Sequence, residues 1–287
     1  MYFYLNGEIL ESELAKVSVL DHGFTVGDGV FETLKITEGK CFALERHLVR
    51  LQKSASGMGL LCPDVNQIES AVSLTLAANE ALTLGRLRIT LTSGDGPLGS
   101  DRVKGEPTLA ITLATQDPWP EFTSAVLVPW VKNERSSLVG LKTTSYGENV
   151  VALELAHNLG FSEAIQCDTQ GRLSEGTGSN VFLVSDGEIY TPALSAGLLA
   201  GITRDLVLDI ATDLGIVINE QDIAEDFLFT AQEAFLTSST RDVHPISRLG
   251  KCDARGNISI DSSLHAHDLT NKIADAFRSL NQQGGEV

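Results

Sequence analysis

The stretch QDPWPEF, residues 116–122, carries Pro118 and Pro120 with one residue between them. A proline lacks a backbone N–H and pushes the residue before it out of helical geometry, so neither a helix nor a central strand runs through such a pair. The stretch therefore reads as a linker between a small domain, residues 1–115, and a larger one, residues 123–287. In the first part, Tyr2–Leu5 and Glu8–Leu10 flank an Asn6-Gly7 turn, Val30–Ile36 alternates as a strand, and Glu38-Gly39 turns it back into Cys41–Leu44. Glu45–Met58 has helical spacing at Leu48, Leu51 and Ala55. A second helix starts at Asp64, with Gln67 completing a capping box. Strands Arg88–Thr92 and Thr108–Thr115 follow, joined by the loop SGDGPLGSDR. Beyond the linker, strands are expected at Ala125–Val131, Glu163–Asp168, Asn180–Ser185, Glu188–Thr191, Ile216–Asn219 and Glu233–Leu236. Helices are expected at Glu148–Leu159, over TRDLVLDIATDLG, and at Leu264–Leu280, with a loose tail at Gln282–Val287. Strands mixed with helices on both sides make the chain α+β or α/β.

The chain has 287 residues and a formal charge of −17. That charge argues against nucleic acid or an anionic membrane surface as a partner, and confines small anionic ligands to locally basic pockets. The four cysteines show neither CxxC nor zinc-ligand spacing, so no metal site is expected. No apolar run is long enough to span a bilayer, and the first residues do not read as a secretion signal, so a cytoplasmic protein is expected.

The chemistry concentrates between Leu141 and Phe182. Lys142 lies between an apolar run and a small polar turn, where a partly dry amine can attack a carbonyl to form a Schiff base. Glu175 lies in SEGTGSN, where Gly176 and Gly178 let the backbone approach a flat ligand or take unusual dihedrals. A lysine and a placed acid suit pyridoxal phosphate; a surface lysine and an acidic turn are the plain alternative. AGITRD, residues 200–205, is a phosphate-binding helix start or an ordinary cap. LTSSTRDV, residues 236–243, is a second donor set or a polar junction. Arg88 on an apolar strand faces either solvent or a pocket. Arg50 by itself reads as part of a solvated helix face, and His47 as structural or as touching a site through Arg50.

Taken in order, GDGVFET, HLVRL, LKTTSYGENV, SEGTGSNVF, AGITRD and AFLTSSTRDV resemble the class IV aminotransferases, the fold-type IV pyridoxal-phosphate enzymes, over nearly the whole chain. The resemblance implies a two-domain fold of the D-amino-acid aminotransferase type and a homodimer. It implies Lys142 as the Schiff-base lysine and proton shuttle, and Glu175 as partner of the pyridine nitrogen. Arg50, Ile202 and Thr203 would hold the phosphate with help from Ser239, Leu199 would pack on the ring, and Tyr146 would contact the cofactor. Phe31, Arg88, Thr240 and Arg241 would meet the substrate. Two positions depart from the pattern. The tyrosine usual five residues after the lysine is Gly147, with Tyr146 one earlier, and the PRxH-like carboxylate trap of D-specific enzymes is replaced by Leu98 and Ser100. KTTSYGENVVAL and FLTSSTRDV look most like the aminodeoxychorismate lyase subgroup, which implies a small amino substrate with more than one carboxylate. An amino-acid transaminase and a non-catalytic relative are the alternatives.

Overall fold

The computed structural model describes residues 1–103 and 105–282, so the expected tail beyond Gln282 lies outside the described residues. The chain forms two compact units. Met1–Pro118 packs with Leu141–Tyr146, and residues 119–140 pack with residues 147–282.

The first unit contains β1 (Tyr2–Leu5), β2 (Glu8–Glu11), the single turn α1 (His22–Thr25), β3 (Gly29–Thr37), β4 (Lys40–Cys41), α2 (Leu44–Met58), α3 (Val65–Ala77), β5 (Leu84–Thr92) and β6 (Thr108–Thr115). Its six strands are all antiparallel, in the order β2-β1-β6-β5-β3-β4. Asn6 and Gly7 both have positive φ, +48° and +102°, as a two-residue hairpin loop that follows the strand twist requires. The Asp64 side chain caps α3, and Gln67 reaches back to complete the capping box. Side-chain parity decides what β3 does. Val30, Leu34 and Ile36 are fully buried beneath Leu48 and Leu51 of α2, and Glu32 has the same parity. Phe31 points to the opposite face.

The second unit contains β7 (Thr123–Leu127), α4 (Gly147–Asn158), β8 (Glu163–Cys167), β9 (Leu173–Gly176), β10 (Asn180–Ser185), β11 (Glu188–Pro192), α5 (Ile202–Asp213), β12 (Ile218–Gln221), the turn α6 (Phe227–Thr230), β13 (Glu233–Ser238), β14 (Asp242–Cys252), β15 (Ile258–Ser263) and α7 (Asp268–Gln282). Strands β10, β13, β14, β7, β8 and β9 pair in succession, and β9 pairs back to β10 through Glu175↔Asn180. The pairing thus closes on itself at those two residues. Val181, Leu183, Ala234 and Leu236 share an apolar core on one face of β10 and β13, and Phe182 and Phe235, of the opposite parity, stack at 4.8 Å. No helix among the described residues is long and apolar enough to cross a membrane.

Two of the differences from the sequence expectation bear on the architecture. β14, eleven residues long, has no clean alternation and contains Pro245. It pairs with β13 up to Pro245 and with β7 from Ile246, so the missing N–H falls where the partner changes. The last helix starts at Asp268 rather than Leu264. The residues before it form β15, and Glu233 accepts the Leu269 and Thr270 N–H groups at the helix start.

Candidate active site

In the first unit the reactive groups gather around Phe31, which is 5 % exposed. Phe31 faces Thr90 across the β3–β5 ladder, and Arg88 lies two residues from Thr90 on the same face. The Arg88 guanidinium carbon is 3.7 Å from the Phe31 ring centre, and Nε donates to Thr90 Oγ1 at 3.2 Å. Burial pushes the guanidinium down from its ordinary value, and Tyr146 works against that. Among the described residues no carboxylate pairs with Arg88. Arg88 is thus half-buried against an aromatic ring rather than on an open strand face.

Leu141–Tyr146 runs beside β3 without joining it as a regular strand. Phe31 N–H donates to Lys142 O at 3.0 Å, Thr144 N–H donates to Gly29 O at 2.8 Å, and Thr143 bridges Val30. Lys142 N–H also donates to Ser54 Oγ on α2. With its backbone held on two sides, Lys142 places Nζ 4.4 Å from the Phe31 ring centre. Tyr146 meets the same ring edge-on at 5.4 Å. Lys142, Arg88 and Tyr146 thus share one aromatic neighbour.

On the opposite face of β3, Glu32 is completely buried. It accepts Arg50 Nε at 2.8 Å, Arg50 NH2 at 2.7 Å and His47 Nδ1 at 2.7 Å. Burial alone would raise the carboxyl. The Arg50 hydrogen bonds and charge, with those of His47, outweigh it and bring Glu32 down to about 2. Burial pushes His47 down. An ionised carboxylate accepts only, so His47 Nδ1 carries the proton. Arg50 is therefore a braced residue of a buried ion pair rather than part of a solvated face. Glu32 was passed over in the sequence, although it is the one carboxylate on the core-facing parity of β3.

In the second unit Glu175 is the penultimate residue of β9 and is 6 % exposed, not the middle of an open turn. Neither Gly176 nor Gly178 has positive φ. A Cβ at 176 would strike Ser179 Oγ, so what Gly176 permits is close packing of its own loop. Glu175 Oε2 accepts Leu199 N–H at 3.0 Å and Asn180 Nδ2 at 3.3 Å, and Asn180 Nδ2 also donates to Leu199 O at 2.9 Å. Oε1 is paired with Lys132 Nζ. Leu199 itself is half-buried.

Gly201, the residue before α5, offers no side-chain cap, so the first N–H groups at Ile202 and Thr203 receive none. A Cβ at 201 would collide with Asn180 Oδ1. The next residue of AGITRD in the helix, Arg204, is 2 % exposed and pairs with Glu220 at 2.5 Å.

Ser239, Thr240 and Arg241 form a separate turn after β13. Trp119 Nε1 donates to Thr240 O at 2.8 Å, and the Arg241 guanidinium lies 4.2 Å from a Trp119 ring centre. Arg241 also donates to Thr123 Oγ1 and Ser162 O and is 3.7 Å from Glu163 Oε2. Glu163 in turn accepts Ser179 Oγ at 3.0 Å and Thr177 N–H at 3.2 Å, in the loop between Glu175 and Asn180. Lys132, Asn180, Glu163 and Trp119 carried no signal in the sequence, because each acts through residues distant along the chain.

Residues 29–249 match the amino-transferase class IV family. The chain belongs to that family. It is 32 % identical over 293 residues to a putative branched-chain-amino-acid aminotransferase of Methanocaldococcus jannaschii, covering 99 % of this chain and 98 % of the relative. It is 32 % identical over 256 residues to a D-alanine aminotransferase of Staphylococcus epidermidis, covering 86 % and 88 %. The branched-chain aminotransferase of Thermoproteus uzoniensis, solved with norvaline, superposes with a TM-score of 0.89 at 31 % identity over 100 % of this chain and 96 % of that one. Class IV aminotransferases use pyridoxal phosphate, and that is the cofactor of this one. Each unit carries groups of a kind that suits it: the first a positioned amine, for an aldehyde, and the second a buried carboxylate ringed by donors and an uncapped helix start, for a ring nitrogen and a phosphate. The absent side chain at Gly201 keeps Asn180 in register with Glu175.

Proposed function

We propose that this class IV aminotransferase transfers the amino group of an apolar L-amino acid to a dicarboxylic 2-oxo acid such as 2-oxoglutarate. The observation that carries the reading is Arg88, a desolvated cation that shares the Phe31 ring with Lys142 and has no protein carboxylate of its own among the described residues. A half-buried guanidinium is stabilised by an anion, and a substrate carboxylate supplies one. A lyase substrate with two separated carboxylates would call for a second cation as unpaired as Arg88. Arg241 has Glu163 nearby, stacks on Trp119 and donates to two further oxygens, which favours the transaminase. The relatives named above are aminotransferases. Leu98 and Ser100 are exposed and uncharged, so the loop after β5 offers no cationic trap for a D-substrate at those positions.

An electron sink for the substrate's α-carbon is the chemistry that pyridoxal phosphate supplies when bound. In this reading Lys142 Nζ takes the proton from that carbon and redelivers it, held in place by the backbone bonds to Phe31 and Ser54. In the second unit Glu175 would hold the ring-nitrogen proton and the N–H groups of Ile202 and Thr203 would hold the phosphate. In the first, Arg50, aimed by Glu32, would offer the phosphate a cation. Arg88 orients the second carboxylate of the acceptor.

The test is glutamate formation from 2-oxoglutarate with L-leucine, L-norvaline or D-alanine. The L-donors are expected to react. Arg88→Ala should raise KM for 2-oxoglutarate roughly 10- to 100-fold, the worth of a hydrogen bond to a charged group, while leaving KM for a monocarboxylic acceptor little changed. Release of 4-aminobenzoate from aminodeoxychorismate, with no glutamate from either L-donor, overturns the proposal.

A further inference from the structure

Lys132 has a fixed backbone and a long side chain that ends on Glu175. Its N–H donates to Cys167 O at 2.8 Å and its main chain bridges Asp168, so its stem begins from a rigid point. Its side chain is 24 % exposed, against 8 % for Glu175, so the lysine is the more solvated partner of the pair. The two oxygens of Glu175 are held differently. Oε2 is fixed by Leu199 N–H and by Asn180, whose amide is itself tied to Leu199 O. Oε1 is held by the flexible Lys132 ammonium.

A carboxylate this deeply buried is costly without a cation. Under the reading that Glu175 serves the cofactor's ring nitrogen, loading brings a second cation to the same carboxylate. Two like charges drawn to one anion repel each other, and each weakens the other's hold. We propose that Lys132 is the resident counter-ion of Glu175, a positioning residue that balances this carboxylate in the protein without cofactor and competes with the cofactor's ring nitrogen for it. Lys132 therefore stabilises the empty chain at some expense to cofactor affinity.

The experiment is thermal unfolding of the full chain, free of and saturated with pyridoxal phosphate, for wild type, Lys132→Met, Lys132→Arg, Glu175→Gln and the Lys132→Met/Glu175→Gln pair. Lys132→Met should lower the cofactor-free Tm by about 5 °C, the scale for loss of a partly buried charge partner. The loss should shrink on saturation, so that the cofactor-induced rise in Tm exceeds that of wild type. Lys132→Arg should restore the cofactor-free Tm. With Glu175→Gln already present, Lys132→Met should cost little, because no charge remains to balance. Equal losses with and without cofactor, no loss in either, or an undiminished loss beside Glu175→Gln overturns the proposal. The role of Glu175 fails separately, if Glu175→Gln keeps wild-type turnover and cofactor spectrum. The cofactor-free coupling between Lys132 and Glu175 does not depend on that result. If Lys132→Met alone does not fold, folding of the Lys132→Met/Glu175→Gln pair is the expected sign of the coupling, and a pair that does not fold either overturns the proposal.

Discussion

Glu32→Gln tests whether Arg50 is braced from beneath or stands by itself. The change keeps the volume of a completely buried side chain and removes its charge. A glutamine offers one accepting oxygen where Arg50 and His47 now present three N–H groups to a carboxylate. Its own NH2 must then face a donor. A carboxyl held at about 2 instead of its ordinary 4.5 makes folding more favourable by about 3 kcal/mol at neutral pH, at 1.36 kcal/mol per tenfold change in acid strength. Breaking a buried pair by removing one partner costs about 3–5 kcal/mol, which agrees. At a few degrees per kcal/mol, Glu32→Gln should lower Tm by about 10 °C at pH 7. The sign with pH follows from the depressed value. The folded carboxyl binds its proton less readily than the unfolded one, so the contribution is complete above about pH 4.5 and is lost as pH falls toward about 2. The assay is thermal or urea unfolding of both proteins from pH 7 down to the limit of reversibility. A gap under about 2 °C at pH 7, or one that stays constant into the acid range, refutes the reasoning.

Borohydride reduction of the loaded protein is expected to attach the cofactor to the peptide containing Lys142, read by mass; the same yield of label in Lys142→Ala would move the reactive amine elsewhere. Gly201→Ala should weaken cofactor binding roughly tenfold, because the added Cβ collides with Asn180 Oδ1 and overpacking of this kind costs about 1–3 kcal/mol. An unchanged dissociation constant would mean that Asn180 yields without disturbing Glu175 or the start of α5.

What the sequence makes legible is what short-range physics writes. The Asp64/Gln67 capping box, the Asn6-Gly7 hairpin and the apolar face of α2 each depend on residues a few positions apart. Lys142 and Glu175 stand out because each is a charge set among small and apolar neighbours. β14 does not, because it is covered by different partners along its length and so shows no single period. Nor does the fate of a given charge. Arg50, Lys132 and Arg241 read alike in one dimension, and they separate only when Glu32, Glu175 and Glu163 are brought to them from 18, 43 and 78 positions away.

That separation explains how a chain of formal charge −17 meets anionic ligands. At physiological ionic strength a net charge is screened beyond about 8 Å, so what an anion feels in a cleft is the local pairing. A guanidinium already matched by a buried carboxylate presents hydrogen-bond geometry more than attraction, and Arg50 and Arg241 are of that kind. Arg88 is the contrast. β3 sorts the two kinds by parity, with Glu32 on the core side fixing Arg50, and Phe31 on the other side carrying Arg88 on its ring without neutralising it. An aromatic face steadies a cation without using its N–H groups, whereas an ion pair occupies some of them. A carboxylate at Arg88 therefore gains a charge-assisted bond without first breaking one, and this favours a substrate with an acidic group near Lys142.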